Sequence, residues 1–404
     1  MSARRLLIVG TVAALAAAVL LFGGAFRSEA APVETVGETA DELTAAGLVY
    51  HQRARETADA AYLTKAREAF RRALALEPQD SIATEGLAAL ALSRHEFGEA
   101  LRRARRAQEL SPGSTRPVAL AGDALIELGR YDEAFAAYDA LGTRKPGFGA
   151  YSRIAYAREL IGDRSGAIDA MRLAVAAAPA RGEPAAWARV ELAKLYFGQG
   201  DLAGARHAYR AALRLLPGYV YALEGLARVE VARGERTKAL ELAAAAAARV
   251  PQPQFVVTLA ELHHAAGRRS EAARQYRLLG TIKRLLGANG VRTDLELALI
   301  DIDRGAGLAN ALRRARAAHA LRPSIQADDT LAWALARNGR CAEAVKWSKR
   351  SLRLGTRDAL LFFHRGMIER CLGNRAAARG WFRRALELNP HFSLRWAPVA
   401  RSYA

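Results

Sequence analysis

Cysteine is nearly missing from this chain. Its 404 residues hold two, Cys341 and Cys371, too few for a disulfide framework or a structural zinc site. Aromatic residues are scarce at 7%, so the core has to be built mainly from Ala and Leu, a helical vocabulary. With 51% hydrophobic and 25% charged residues, 13 prolines and 33 glycines, the chain is neither disordered nor collagen-like nor a disulfide-dense mini-protein. Signatures of chemistry are missing as well: there is no GxxxxGK[ST], HExxH or GxSxG, and no GxGxxG between a strand and a helix. The eight histidines are scattered, and the adjacent His263 and His264 point to different faces of a helix. Without an activated nucleophile, metal cluster or cofactor loop, the expectation is a protein that is not an enzyme and uses no cofactor or metal.

Charge, by contrast, is in surplus. Lys+Arg number 60 against 41 Asp+Glu, a net +19, and 53 of the 60 are Arg. So much Arg beside so much Ala fits a GC-rich bacterial genome, which weakens the functional meaning of any single Arg. Basic runs at Arg102-Arg103-x-Arg105-Arg106, Arg313-Arg314-x-Arg316 and Arg383-Arg384 read first as solvated helix faces. The alternative is attraction to anionic lipid or acidic polysaccharide; nucleic acid is not expected, because no stacking aromatics are interleaved there. Asp294, Glu296, Asp301, Asp303, Asp328 and Asp329 form the one acidic patch, suited to capping helices and offsetting Arg, or to holding a basic partner or cation.

At the N-terminus, Arg4 and Arg5 precede Leu6–Phe26, a stretch without charge. As a helix it would span roughly 31 Å, the thickness of a bilayer core. Residues 1–30 therefore read as a membrane anchor or a signal peptide. The length favours an uncleaved anchor, while Gly23-Gly24 and the small residues around Ala30 favour cleavage. Either outcome exports the remainder of the chain, leaving it membrane-anchored or secreted into the periplasm. Residues 31–46 carry four acids and no Lys or Arg and read as an acidic linker.

The rest of the chain repeats. An alanine recurs at Ala66, Ala100, Ala134, Ala167, Ala205, Ala239, Ala272, Ala311, Ala344 and Ala378, at spacings of 33–39 residues. Five residues before many of these stands a glycine: Gly129, Gly162, Gly200, Gly234, Gly267, Gly339 and Gly373. Proline closes most units, as at Pro78, Pro112, Pro146 and Pro217. Each unit decodes into two helices. Leu120, Ala121, Ala124, Leu125 and Leu128 line the first, Gly129 ends it, Ala134, Phe135, Tyr138 and Leu141 line the second, and Pro146 stops that one. Small residues such as Gly122, Ala155, Ala193 and Gly366 allow helices to cross closely, and aromatics such as Phe70, Tyr138, Tyr209 and Phe382 fill the wider gaps between units.

These columns of bulky, small, aromatic and proline positions resemble the tetratricopeptide repeat (TPR) family over about 47–392. The resemblance implies an all-α, right-handed α-solenoid of about ten helix-turn-helix units, with residues 393–404 as a C-terminal capping helix. It also implies a concave groove, lined by the first helices, that holds a protein or peptide partner. The first unit lacks the turn glycine, Ala306 replaces it in the eighth, and insertions near 182–185 and 287–291 would tilt units or lengthen a helix. First-helix residues off the packing stripe are the candidate partner-binding set: Arg116, Tyr156, Trp187, Lys194, Phe197, Tyr221, Arg228, His264, Trp333 and Phe363, a mixture of aromatic and basic side chains common at binding hot spots. Trp187, Phe197 and Trp333 could equally finish the core between units. Within such a stack, Cys341 at the start of a second helix and Cys371 at the end of the next first helix are neighbours, so a disulfide is expected in an oxidising compartment.

Overall fold

The computed structural model describes residues 39–404; the expected anchor or signal at 1–30, with its apolar stretch 6–26, lies outside the described residues. Every element described is a helix. The first three units are α1 (Ala40–Thr57) with α2 (Ala61–Leu76), α3 (Ser81–Ser93) with α4 (Phe97–Leu110), and α5 (Arg116–Glu127) with α6 (Tyr131–Arg144). Next come α7 (Phe148–Leu160) with α8 (Arg164–Ala177), α9 (Glu183–Gly198) with α10 (Leu202–Leu215), and α11 (Val220–Ala232) with α12 (Arg236–Arg249). Four more pairs follow: α13 (Pro253–Ala265) and α14 (Arg269–Ala288), α15 (Asp294–Arg304) and α16 (Leu308–Leu321), α17 (Ile325–Arg337) and α18 (Cys341–Ser351), α19 (Ala359–Cys371) and α20 (Arg375–Leu388). Helix α21 (Trp396–Tyr403) packs on α20. No described helix is long and apolar enough to cross a membrane. The array is thus an all-α solenoid of ten helix pairs.

Helix α1 begins inside the segment expected as a linker. Thr39 accepts from the Glu42 amide and Glu42 reaches back to the Thr39 amide, a reciprocal cap that starts a helix among acidic residues. Elsewhere Asp80, Asp163, Asp201, Ser324 and Asp358 cap first or second helices through their side-chain oxygens. The turn within each unit needs a left-handed residue, and the glycines supply it in most. Ala58 (φ 57°) and His95 (φ 58°) take that conformation in the first two units without glycine's freedom. The insertion at 287–291 lengthens α14 to 20 residues.

Packing between first helices explains the small residues. A Cβ at Gly86 would lie 2.3 Å from the Phe70 ring, one at Gly122 2.5 Å from Tyr138, and one at Gly225 2.2 Å from Tyr209. Each aromatic of a second helix is therefore wedged against bare backbone of neighbouring first helices. Gly366 and Phe382 repeat the arrangement near the C-terminus, where a Cβ would lie 2.6 Å from the ring.

Successive turns of the solenoid touch. The Gln252 side chain donates to Ala58 O, the Arg94 side chain to Gly290 O, the Ile325 amide to the Tyr131 hydroxyl, the Thr356 hydroxyl to Leu160 O, and the Asn389 side chain to Phe197 O. These five contacts join residues 192–196 positions apart. In each, the turn inside one unit meets the segment that follows the second helix of a later unit. A superhelix completing a circuit in roughly five and a half units of this length accounts for the regularity, since a constant rotation per unit accumulates along a solenoid. Arg322 strengthens the seam by pairing with Glu127 at 2.6 Å and Glu296 at 2.9 Å. The inner face is consequently closed at its side.

Candidate functional site

First helices line the inside of this closed circuit. Between α5, α7, α9 and the start of α11 lies a cavity of about 680 Å³, within the usual range for ligand pockets. Tyr138 reaches its wall from α6 and donates its hydroxyl to Asp123 Oδ1 at 3.0 Å. Arg153 holds the same carboxylate with two bonds, Nε to Oδ1 at 2.8 Å and Nη2 to Oδ2 at 2.6 Å. Burial alone would weaken the Arg153 charge, but Asp123 more than offsets it and the pKa lies above its ordinary value. Burial and the Asp123 charge together push the Tyr138 phenol well up.

Arg55 reaches over from α1 and pairs with Glu183 at 2.8 Å, and the second Glu183 oxygen accepts from the Tyr219 hydroxyl at 3.0 Å. On α9, Lys194 pairs with Glu191 at 2.8 Å. Aromatic rings form the apolar part of the wall. Trp187 stands edge-on to Phe148 with centroids 5.8 Å apart, and Tyr221 lies edge-on to Tyr219 and Phe255. The Tyr156 hydroxyl accepts from Gln326 at 3.4 Å across the seam. Three cations (Arg55, Arg153, Lys194) face five carboxylates: Asp123, Glu127, Glu159, Glu183 and Glu191. Within a chain of net charge +19, the inner wall is acidic. Glu159 is exposed on the cavity wall. Burial, helped by Glu191 and Asp358 and opposed by Lys194, pushes its pKa up to about 7.

Of the ten candidate binding residues, Tyr156, Trp187, Lys194 and Tyr221 come together on this cavity. Phe197 and Arg228 do not line it; the Arg228 guanidinium lies 5.4 Å over the Phe197 ring, with Nη2 3.5 Å from Phe392 O, at the seam between turns. Arg116 is exposed on α5 and lies 3.6 Å from Glu85. His264 is exposed beside a separate hollow lined by Tyr276 and Arg304. Trp333 and Phe363 need correcting as groove residues, being 1% and 0% exposed. Helix α21 covers them: Trp396 meets Trp333 at 5.7 Å and Phe363 at 5.3 Å, and both tryptophan N–H groups donate to Asp303. Asp123, Arg153, Glu159, Glu191 and the Arg55–Glu183 pair went unread in the sequence. Nothing local in the sequence could have joined α1 to α9.

Much of the acidic patch is engaged inside the fold. Asp301 pairs with Arg314, Asp328 with His319 at 2.8 Å and Arg353 at 2.5 Å, and Glu296 with Arg322. Among the described residues no group of three or more His, Cys, Asp or Glu is placed to hold a metal ion. On the outer face, Arg102 and Arg103 both pair with Glu99, and Arg106 with Glu109. Cys341 and Cys371 are joined by a disulfide with Cα atoms 6.1 Å apart.

Residues 190–253, spanning α9 to α12, match the model of the tetratricopeptide repeat family. No curated protein matches the chain. Among solved structures, one similar to this chain is a tetratricopeptide repeat protein from Parabacteroides merdae, 16% identical, with 63% of this chain and 99% of that one covered and a TM-score of 0.41. YrrB, described as a TPR protein with an unusual peptide-binding site, is 21% identical, with 50% and 99% covered and a TM-score of 0.32. MamA is 20% identical, with 40% and 93% covered and a TM-score of 0.32.

Proposed function

We propose, on the premise that this is a tetratricopeptide repeat chain, that the protein is a non-catalytic scaffold holding a polypeptide partner within its closed solenoid. The observation that carries this reading is the cavity itself. Tyr156, Trp187 and Tyr221 present ring edges and faces to open space next to charged groups, the composition of a binding hot spot rather than of a finished core. The outer Arg rows are the weaker candidate, because Arg102, Arg103 and Arg106 already have glutamate partners and exposed pairs of this kind fade with salt. We further place the array outside the cytosol, because the uncharged stretch 6–26 follows Arg4 and Arg5. A C-terminal topology reporter active only in the cytosol would refute that placement.

Cross-linking in the cell envelope followed by mass spectrometry identifies the partner. Trp187→Ala and Tyr221→Ala are then expected to weaken its binding by roughly tenfold or more while helix content stays as in the parent and the melting temperature falls by a few degrees without loss of the folded state. Unchanged affinity in both variants would remove the cavity as the binding site.

A further inference from the structure

The charges on the cavity wall do not cancel, and the imbalance has an address. Arg153 is matched by Asp123, Arg55 by Glu183 and Lys194 by Glu191. Glu127 is satisfied from outside by Arg322. Glu159, on the last turn of α7, is the lining carboxylate left without a cation. An unpaired carboxylate open to the cavity, with Glu191 and Asp358 close to it, gains from any cation that reaches it. Beside it, one turn back on α7, stands Tyr156, whose ring attracts a cation electrostatically and covers the apolar stem that carries it.

Building on the scaffold reading above, we infer that the occupant is an extended polypeptide segment with a basic side chain that is received by Glu159, a lysine ammonium being its simplest form. A lone carboxylate receives an ammonium as a point charge and a guanidinium as a bidentate pair, as Asp123 receives Arg153 on the same wall. A polypeptide fits better than a compact amine because the cavity is long, running from α5 to α11 with aromatic rings at both ends: Tyr138 and Phe148 at one, Tyr219 and Tyr221 at the other. The chain's own leading segment is a poor occupant. Residues 31–38 carry Glu34 and Glu38 and no Lys or Arg, so they would meet like charge.

Proton linkage gives the idea a second handle. The charged groups facing Glu159 are Glu191 and Lys194 from α9 and Asp358 from the connection before α19. Because burial, helped by the first and third, raises its pKa to about 7, Glu159 in the empty cavity is partly protonated near neutrality. An arriving ammonium favours the carboxylate, so binding releases a proton and strengthens as pH rises through that value.

The test uses the full chain and fluorescently labelled peptides of repeating Lys-Leu-Ser, with Gln or Glu in place of Lys, followed by fluorescence anisotropy. The lysine peptide is expected to bind at least about tenfold more tightly than its glutamine counterpart, a difference of about 1.4 kcal/mol, and the glutamate peptide not to bind. Glu159→Gln should erase the preference for lysine and flatten the rise in affinity between about pH 6 and about pH 8, with circular dichroism unchanged. The outer-face variant Arg102→Glu should leave both intact. If the lysine and glutamine peptides bind alike and Trp187→Ala weakens both, the cavity reading survives and the cationic inference falls. If no peptide binds, or binding ignores both Trp187→Ala and Glu159→Gln, both fall. Spermidine displacing the lysine peptide at comparable concentration would overturn the polypeptide part.

Discussion

Two turn glycines separate local backbone strain from contact between turns. Gly234 (φ +91°) has nothing within 4 Å of where a Cβ would stand, while the same atom at Gly129 (φ +69°) would lie 2.4 Å from Pro323 O. Gly234→Ala is expected to cost about 1 kcal/mol from left-handed strain alone. Gly129→Ala should cost at least about 1 kcal/mol more, because backbone of the next turn has to move. Urea unfolding midpoints of the two variants check the difference; equal midpoints would mean that the seam contributes nothing.

Two titrating residues act on stability in opposite directions. Burial, with Arg55 and Arg116 nearby, lowers His51 to about 4 from 6.5. The unfolded chain therefore takes up a proton that the fold refuses, and stability contributed here is lost as pH falls from about 6.5 toward 4. Glu159 is raised to about 7, so the fold keeps a proton that the unfolded chain releases, and that contribution is lost as pH rises from about 4.5 to 7. His51→Gln should flatten the acidic limb of a melting-temperature profile, and Glu159→Gln the limb approaching neutrality. At this scale the sequence was a partial guide. Tyr156, Trp187, Lys194 and Tyr221 were legible as inward-facing residues by their spacing along first helices. Trp333 and Phe363 obey the same spacing, yet helix α21 covers them, and spacing within a unit says nothing about what caps the last one.

Among the elements, the helix pairs were readable because each unit repeats its own stop signals. Gly129 and Pro146 end helices wherever they recur in register. Helix α1 was obscured by its acidity: four acids in 31–46 suggest a linker, although the Thr39–Glu42 cap was present in the letters. His95 in the second turn was equally hidden, since its left-handed backbone is held by a contact with Arg292 O at 2.7 Å from the other turn. The disulfide ties α18 to the end of α19 across a separation of 30 residues, a loop whose closure is worth about 3–4 kcal/mol in the chain-entropy account. Reduction should therefore speed hydrogen exchange in α17 to α20 and leave α3 to α6 unchanged, because stability in a repeat array is passed between neighbours. Uniform loosening of the whole chain would show that the bond supports more than its own units.

For the whole molecule, the contact between turns is the feature the sequence did not announce. A small rotation per unit, summed over five units, decides whether Gln252 reaches Ala58 and Asn389 reaches Phe197. No motif encodes that sum. Its consequence for function is direct: an open superhelix would share its groove with solvent along one side, whereas this one encloses an acidic, aromatic channel inside a basic shell. Pulsed electron paramagnetic resonance on the full chain tests that closure, with spin labels on Thr64→Cys and Asn289→Cys, the native cysteines being already bonded. Thr64 Oγ1 and Asn289 Oδ1 lie 3.2 Å apart across the seam. A single short, narrow distance is the predicted result; a long, broad distribution would contradict the enclosed channel on which the binding account rests.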